Sequence, residues 1–172
     1  MQIREIMSHP VVTCPADVTL QHAARLMWEY DCGIIPIVGD DGRLVGVVTD
    51  RDACMAAYTQ GRPLSDIPIA TAMAKNVVAS RASESVEAVE SLMKASQIRR
   101  VPIVDNEYRP VGIVSLNDLA RLAARGRRNG VDRQLVETLA AVSQPRGNAE
   151  PATQALRDGG VKAVRDHVAL VS

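Results

Sequence analysis

Phenylalanine is absent from these 172 residues, tryptophan occurs once and tyrosine three times. With so few rings the core must be built from Val, Ile, Leu, Ala and Met, and the chain lacks the stacking platforms of a single-strand nucleic-acid binder. An excess of basic charge is missing as well. Twenty Lys and Arg balance 20 Asp and Glu, which argues against a DNA-binding surface and makes RNA binding an alternative reading only. No apolar run reaches the length of a membrane span, and the start, Met1-Gln2-Ile3-Arg4-Glu5-Ile6, is too charged for a signal peptide. A cytoplasmic location is the expectation. Cysteine is scarce: Cys14, Cys32 and Cys54 are odd in number and widely spaced, which fits neither a disulfide framework nor a zinc knuckle. His9, His22 and His167 have no triad-like companions. We therefore expect no metal site, no catalytic residue and no enzyme.

What the chain does have is one pattern written twice. Leu44-Val45-Gly46-Val47-Val48 reads as a short buried strand that runs into Thr49-Asp50-Arg51-Asp52 and the start of a helix. About 66 residues later, Pro110-Val111-Gly112-Ile113-Val114 runs into Ser115-Leu116-Asn117-Asp118 with glycine, hydroxyl and carboxylate in the same order. A glycine inside a strand gives up packing, so its reuse at one point of both copies predicts the close approach of a backbone or a ligand.

Taken in order, Ile3, Ile6 and Met7 mark a helical turn, and Val11-Val12-Thr13 a short strand stopped by Pro15. Thr19 is placed to cap a helix carrying Leu20, Ala23, Ala24, Met27 and Tyr30 on one face. Gly33-Ile34-Ile35-Pro36-Ile37-Val38 reads as a buried strand, Asp40-Asp41-Gly42 as a tight turn, then Leu44 to Val48 as a strand and about 50 to 60 as a helix. The helical crossover makes the first two strands parallel, and the tight turn makes the third antiparallel. Residues 61–68 read as a linker, after which the unit repeats in register: Ile3 matches Ile69, Met7 matches Met73, Pro36 matches Pro102 and Asp52 matches Asp118. The prediction is an α+β fold of two β-α-β-β-α repeats, residues 1–60 and 69–126, packed about a pseudo-twofold axis, because neither half buries enough apolar surface alone.

Each half carries three signposts: Val11-Val12 or Val77-Val78, Gly33-Ile34-Ile35-Pro36 or Arg99-Arg100-Val101-Pro102, and Gly46 to Asp52 or Gly112 to Asp118. The doubled pattern, over about residues 3 to 126, resembles a tandem CBS-domain (Bateman) module of the small bacterial stand-alone type. That resemblance implies regulatory binding of an adenine-containing small molecule, such as AMP, ADP, ATP or S-adenosylmethionine, without catalysis, with occupancy passed to an unknown regulated protein. No attached catalytic or transport domain is expected.

The residues themselves fit this implication. One carboxylate can accept hydrogen bonds from both hydroxyls of a ribose, which makes Asp52 and Asp118 the candidate ribose readers. Thr49 and Ser115, with a helix N-terminus behind each, suit the 5′ oxygen or first phosphate. Adenine would lie between the leading strand and the second strand, against Val12, Thr13, Gly33, Ile34, Ile35 and Pro36 in the first copy. Val78, Arg99, Arg100, Val101 and Pro102 line the second. Arg51, Arg99 and Arg100 are the candidate phosphate cations, reaching across from one half to the other. The same Thr49-x-x-Asp52 and Ser115-x-x-Asp118 pairs also fit a helix capping box, which would leave a ligand-free structural or interaction module.

Three expectations complete the reading. The clefts are inequivalent, the second holding the tighter site because its wall is Arg99-Arg100. A homodimer is expected from Met27, Met55, Leu92, Met93 and Leu119, which exceed what one internal interface can cover. Val131, Leu135, Leu139 and Val142 predict an amphipathic helix ending before Pro145 that packs on the module or on a second subunit. Residues 146–160 read as a flexible link. Val161, Val164, Val168 and Val171 suit either a helix or a strand.

Overall fold

The computed structural model describes residues 1–125 and 129–144. In the first repeat, β1 (Cys14–Pro15) is followed by α1 (Leu20–Glu29), β2 (Ile34–Val38), β3 (Leu44–Thr49) and α2 (Asp50–Gln60). The second repeat runs β4 (Ser80–Arg81), α3 (Val86–Ser96), β5 (Arg100–Val104), β6 (Pro110–Ser115) and α4 (Leu116–Arg125), with α5 (Asn129–Ser143) after it. Each repeat forms a three-stranded sheet in sequence order, the first pair of strands parallel and the second antiparallel. The predicted α+β class and repeat order are therefore observed. The leading strands are displaced, however: pairing begins at Cys14↔Ile37 and Ser80↔Ile103, so Val11-Val12-Thr13 and Val77-Val78 approach the sheet as irregular chain. Pro15 lacks only a donor, and as the outermost strand of its sheet β1 needs none on its open side.

Side chains on β2 alternate as the pleat requires. Ile35 and Ile37 enter a core with Leu20, Ala23, Met27 and Val48, and the matching Val101 and Ile103 enter a second core with Val89, Met93 and Leu119. Full burial of each such aliphatic side chain contributes roughly 1.5–3 kcal/mol relative to exposure.

The two repeats exchange their leading segments. Ile3 belongs to the core of the second repeat, whereas Ile67 and Ile69 belong to that of the first. Backbone bonds hold the exchange: Ile3 N–H donates to Glu84 O at 2.9 Å, and Ile69 N–H to Val18 O at 2.9 Å. Two isolated bridges, Ser8↔Ile113 and Val47↔Ala74, are images of one another under the repeat offset, which is what packing about a pseudo-twofold axis requires. The strand glycines sit under these bridges. A Cβ on Gly46 would lie 2.6 Å from Met73 Sδ and 3.2 Å from Ala74 O, and one on Gly112 would lie 2.7 Å from Met7 Sδ and 3.1 Å from Ser8 O. The predicted close approach is thus made by a backbone and a methionine.

Helix α5 buries Leu135 and Val142 in the second repeat's core, and Thr138 is buried on the same face. Leu139, predicted on that face, is instead 39% exposed, because the contacting stripe runs at positions 135, 138 and 142. Met27, Met93 and Leu119 also lie in the cores, so they offer nothing to a dimer. Residues 146–160 and the valines from Val161 to Val171 lie outside the described residues.

Candidate functional site

Asp52 and Asp118 occupy the same place in their repeats, three residues past a strand-end hydroxyl and in the first turn of a helix. At the first, Asp52 Oδ2 accepts from the Thr49 backbone N–H at 2.9 Å and from its hydroxyl at 2.7 Å, while Thr49 Oγ1 accepts from Asp52 N–H at 3.2 Å. At the second, Asp118 Oδ2 accepts from Ser115 N–H at 2.7 Å and from its hydroxyl at 2.6 Å, and Ser115 Oγ accepts from Asp118 N–H at 3.3 Å. Both copies close as capping boxes, each holding its carboxylate in one orientation at a helix N-terminus.

Beyond the boxes the copies part. Asp52 is half-buried, and among the described residues its Oδ1 accepts no hydrogen bond. Asp118 is only 3% exposed. Its Oδ1 accepts from the Ser8 hydroxyl at 3.3 Å and from the guanidinium of Arg121. Ser8 arrives through the exchanged leading segment and Arg121 comes from the next turn of α4. Neither was singled out in the sequence; the signal was there, in that the repeat replaces Arg121 by Met55 and Ser8 by Ala74.

Gly33 is the meeting point of the repeats on the first side. The position its Cβ would occupy is 2.8 Å from an Arg100 guanidinium nitrogen and 2.9 Å from Asp50 Oδ2. Arg100 therefore does reach from the second repeat to the first cleft's wall. Burial pushes the nearby Cys32 thiol up, a backbone bond from Ile34 and the charge of Arg100 pull it back, and Asp31 opposes them. Arg99 and Arg51 are exposed.

Of the expected adenine wall, Ile34 and Pro36 alternate with the core residues of β2 and Pro102 with those of β5, and all three are buried. Ile35 and Val101 are fully buried in the cores, which leaves their backbones alone to meet a ligand. Val12, Thr13 and Val78 are half-buried on the irregular chain before β1 and β4. A shallow depression of about 340 Å³ lies elsewhere, lined by Ala79, Ser80, Arg81, Glu84, Ala88 and Leu92, and includes none of the predicted residues. Among the described residues no group of three or more His, Cys, Asp or Glu is placed to hold a metal ion, and no helix is long and apolar enough to cross a membrane.

Comparison with known proteins agrees with this geometry. The family model for the CBS domain matches residues 3–58 and 64–125. CBS domain-containing protein YhcV of Bacillus subtilis is 39% identical over 118 residues, 69% of this chain and 82% of that protein. Among solved structures, the CBS domain pair of protein MJ0100 in complex with 5′-methylthioadenosine and S-adenosyl-L-methionine superposes with a TM-score of 0.66. Its identity is 30%, over 73% of this chain and 97% of that one. Hypoxic Response Protein I, solved with two coordinated zinc ions, gives a TM-score of 0.64 at 34% identity, over 70% of this chain and 98% of that one.

Proposed function

The chain belongs to the CBS-domain family, and from that premise we propose that it is a non-enzymatic sensor of an adenosine-containing ligand. Its occupancy would be passed to a regulated partner in the cytoplasm. The observation that carries the reading is Asp52: a half-buried carboxylate fixed by its capping box, one oxygen of which accepts no hydrogen bond among the described residues. A free carboxylate oxygen in the first turn of a helix can accept from a ribose hydroxyl, and such a charge-assisted bond is worth about 1.5–3 kcal/mol. Thr49 and the N-terminus of α2 lie beside it to receive the 5′ substituent. The backbone of Ile34 and Ile35 and the side chains of Ile34, Pro36 and Val12, the first and second of these buried and the third half-buried, would form the slot for adenine.

Arg100 and Asp50 converge on Gly33, so the far end of the slot holds one charge of each sign. That pairing favours a single phosphate or a zwitterionic tail, as in AMP or S-adenosylmethionine, over the three phosphates of ATP. The solved relative that holds two adenosyl compounds supports the same class.

A second reading follows from the closed capping boxes, which stabilise α2 and α4 whether or not a ligand is present. A thermal shift series with AMP, ADP, ATP and S-adenosylmethionine separates the two. At about 100 times its Kd, a compound that binds only the folded chain adds roughly 2.7 kcal/mol. A shift lost in Asp52→Ala supports the sensor, and no shift with any of the four supports the structural reading.

We also propose a homodimer, on residues of which only Met55 was among those expected. Trp28, Tyr30, Met55 and Tyr58, on α1, its C-terminal cap and α2, are the exposed large apolar side chains of the first repeat's helices. Their counterparts in the second repeat are Lys94, Ser96, Arg121 and Ala124. The apolar face is thus confined to one repeat, and a self-complementary pairing of that face with its copy covers it.

A further inference from the structure

We infer that the second cleft is closed by the chain itself, through a Ser8–Asp118–Arg121 latch, and that the protein takes one adenosine ligand per chain, at Asp52. The inference rests on the sensor reading above and deepens it. Both oxygens of Asp118 are engaged: Oδ2 by the Ser115 amide and hydroxyl, Oδ1 by Ser8 and Arg121. A ribose hydroxyl reaching Asp118 must displace a cation from a buried carboxylate, and a charge-assisted bond to a buried group is the kind most costly to lose. At Asp52 Oδ1 it displaces no hydrogen bond made among the described residues.

The difference is written in the sequence and is specific to these positions. Under the repeat offset Arg121 is replaced by Met55, which donates no hydrogen bond, and Ser8 by Ala74, which has no hydroxyl. The two groups that hold Asp118 Oδ1 come from different elements, Ser8 from the exchanged leading segment and Arg121 from α4. Ser8 is delivered to Asp118 by the backbone bridge to Ile113, and Ala74 is delivered to the Asp52 side by the equivalent bridge to Val47. Both boxes are therefore built by the same backbone, and two side chains decide which one is open. Arg100 adds to this, because it leaves the second repeat's own cleft and supplies its charge at Gly33.

The test is titration calorimetry of the full chain with AMP and with S-adenosylmethionine, accompanied by circular dichroism of each variant. Unaltered protein should bind one molecule per chain, with Asp52→Ala weakening it at least tenfold. In Ser8→Ala/Arg121→Met, which gives the second cleft the residues of the first, two molecules should bind per chain. Adding Asp118→Asn to that pair should return the count to one. Two molecules bound by the unaltered protein, or a double variant that folds and stays at one, would overturn the latch and leave the sensor reading standing. Binding of neither compound to any variant would overturn both. Should the triple variant fail to fold, the double variant alone decides.

Discussion

Met73 lies over Gly46 so closely that a single added carbon on the glycine would stand 2.6 Å from its sulfur, and Met7 lies over Gly112 in the same way. These contacts clamp the exchanged leading segments onto the two hairpins. A methionine side chain can swing aside, but the carbonyl oxygens of Ala74 and Ser8 behind it cannot move without breaking the bridges. Gly46→Ala and Gly112→Ala should therefore each cost about 1–3 kcal/mol, the range for overpacking a close-packed site. Chemical denaturation of each variant measures it; unchanged midpoints would show that the segments are loosely held.

Helix α5 supplies an internal control on its own packing. Leu135 is buried in the second repeat's core while Leu139, one turn on, is 39% exposed. Leu135→Ala should lose about 2–5 kcal/mol, and Leu139→Ala well under half of that. Equal effects in urea denaturation would mean that the helix contacts the module through a different face.

Glu90 is the second repeat's replacement for Ala24 and is 4% exposed on α3. Burial holds its carboxyl above the ordinary range, with Lys94 lowering it and Glu87 raising it. A folded-state pKa above the unfolded value means that its protonated form favours the native state. The associated stability is fully present below the unfolded pKa, about 4.3, and is lost as pH rises through the folded pKa. Glu90→Gln should then raise the melting temperature at pH 7 and change it little at pH 3.5. A loss of stability at pH 7 would show that the carboxylate makes a favourable contact that its burial conceals.

Trp28 is 88% exposed and is the sole tryptophan, which makes it a reporter of the proposed dimer. Its emission should shift to the blue as protein concentration rises, and Trp28→Glu should sediment as a monomer at concentrations where the unaltered chain pairs. An exposed anion in place of an aromatic anchor removes the centre of an interface, where losses of 2 kcal/mol and more are found. Emission independent of concentration, with sedimentation as a monomer at tens of micromolar, would leave this face to another partner.

The repeat, its strand order, and the boxes at Thr49 and Ser115 were legible in the sequence because they rest on local rules: alternation, a tight turn at Gly42, a hydroxyl three residues before a carboxylate. The strand glycines predicted a close approach but not its author, since nothing local says that Met73 crosses to β3. The latch proposed here departs from the expected preference for the second cleft for the same reason. Arg99 and Arg100 precede that cleft in the chain, yet the fold sends Arg100 to Gly33 and leaves Arg99 exposed. Of the apolar residues chosen for a dimer, Met27, Met93 and Leu119 were inside and Met55 alone was exposed, because periodicity marks the buried face of a helix and is silent on what remains outside it. Trp28 and Tyr58 fell off that stripe and were passed over.

Arg100 and Asp50 should set the ligand's charge preference at the first cleft. They converge on one point, so each tempers the other, and removing either changes the sign left behind. Arg100→Ala leaves Asp50 facing the ligand's tail. Affinity for AMP should fall by about tenfold or more, the loss of a charge-assisted bond of at least 1.4 kcal/mol, while affinity for adenosine itself stays near its starting value. Asp50→Asn leaves Arg100 unopposed and should raise affinity for ATP relative to AMP. Because Asp50 is exposed, solvent screens it, and the gain should shrink as salt rises. Arg99→Ala, removing an exposed cation outside this contact, should change the ratio of AMP to adenosine binding less than Arg100→Ala does. Calorimetry with adenosine, AMP and ATP on the three variants reads all of this, and equal losses for adenosine and AMP in Arg100→Ala would mean that the guanidinium shapes the cleft wall and does not meet the ligand's phosphate.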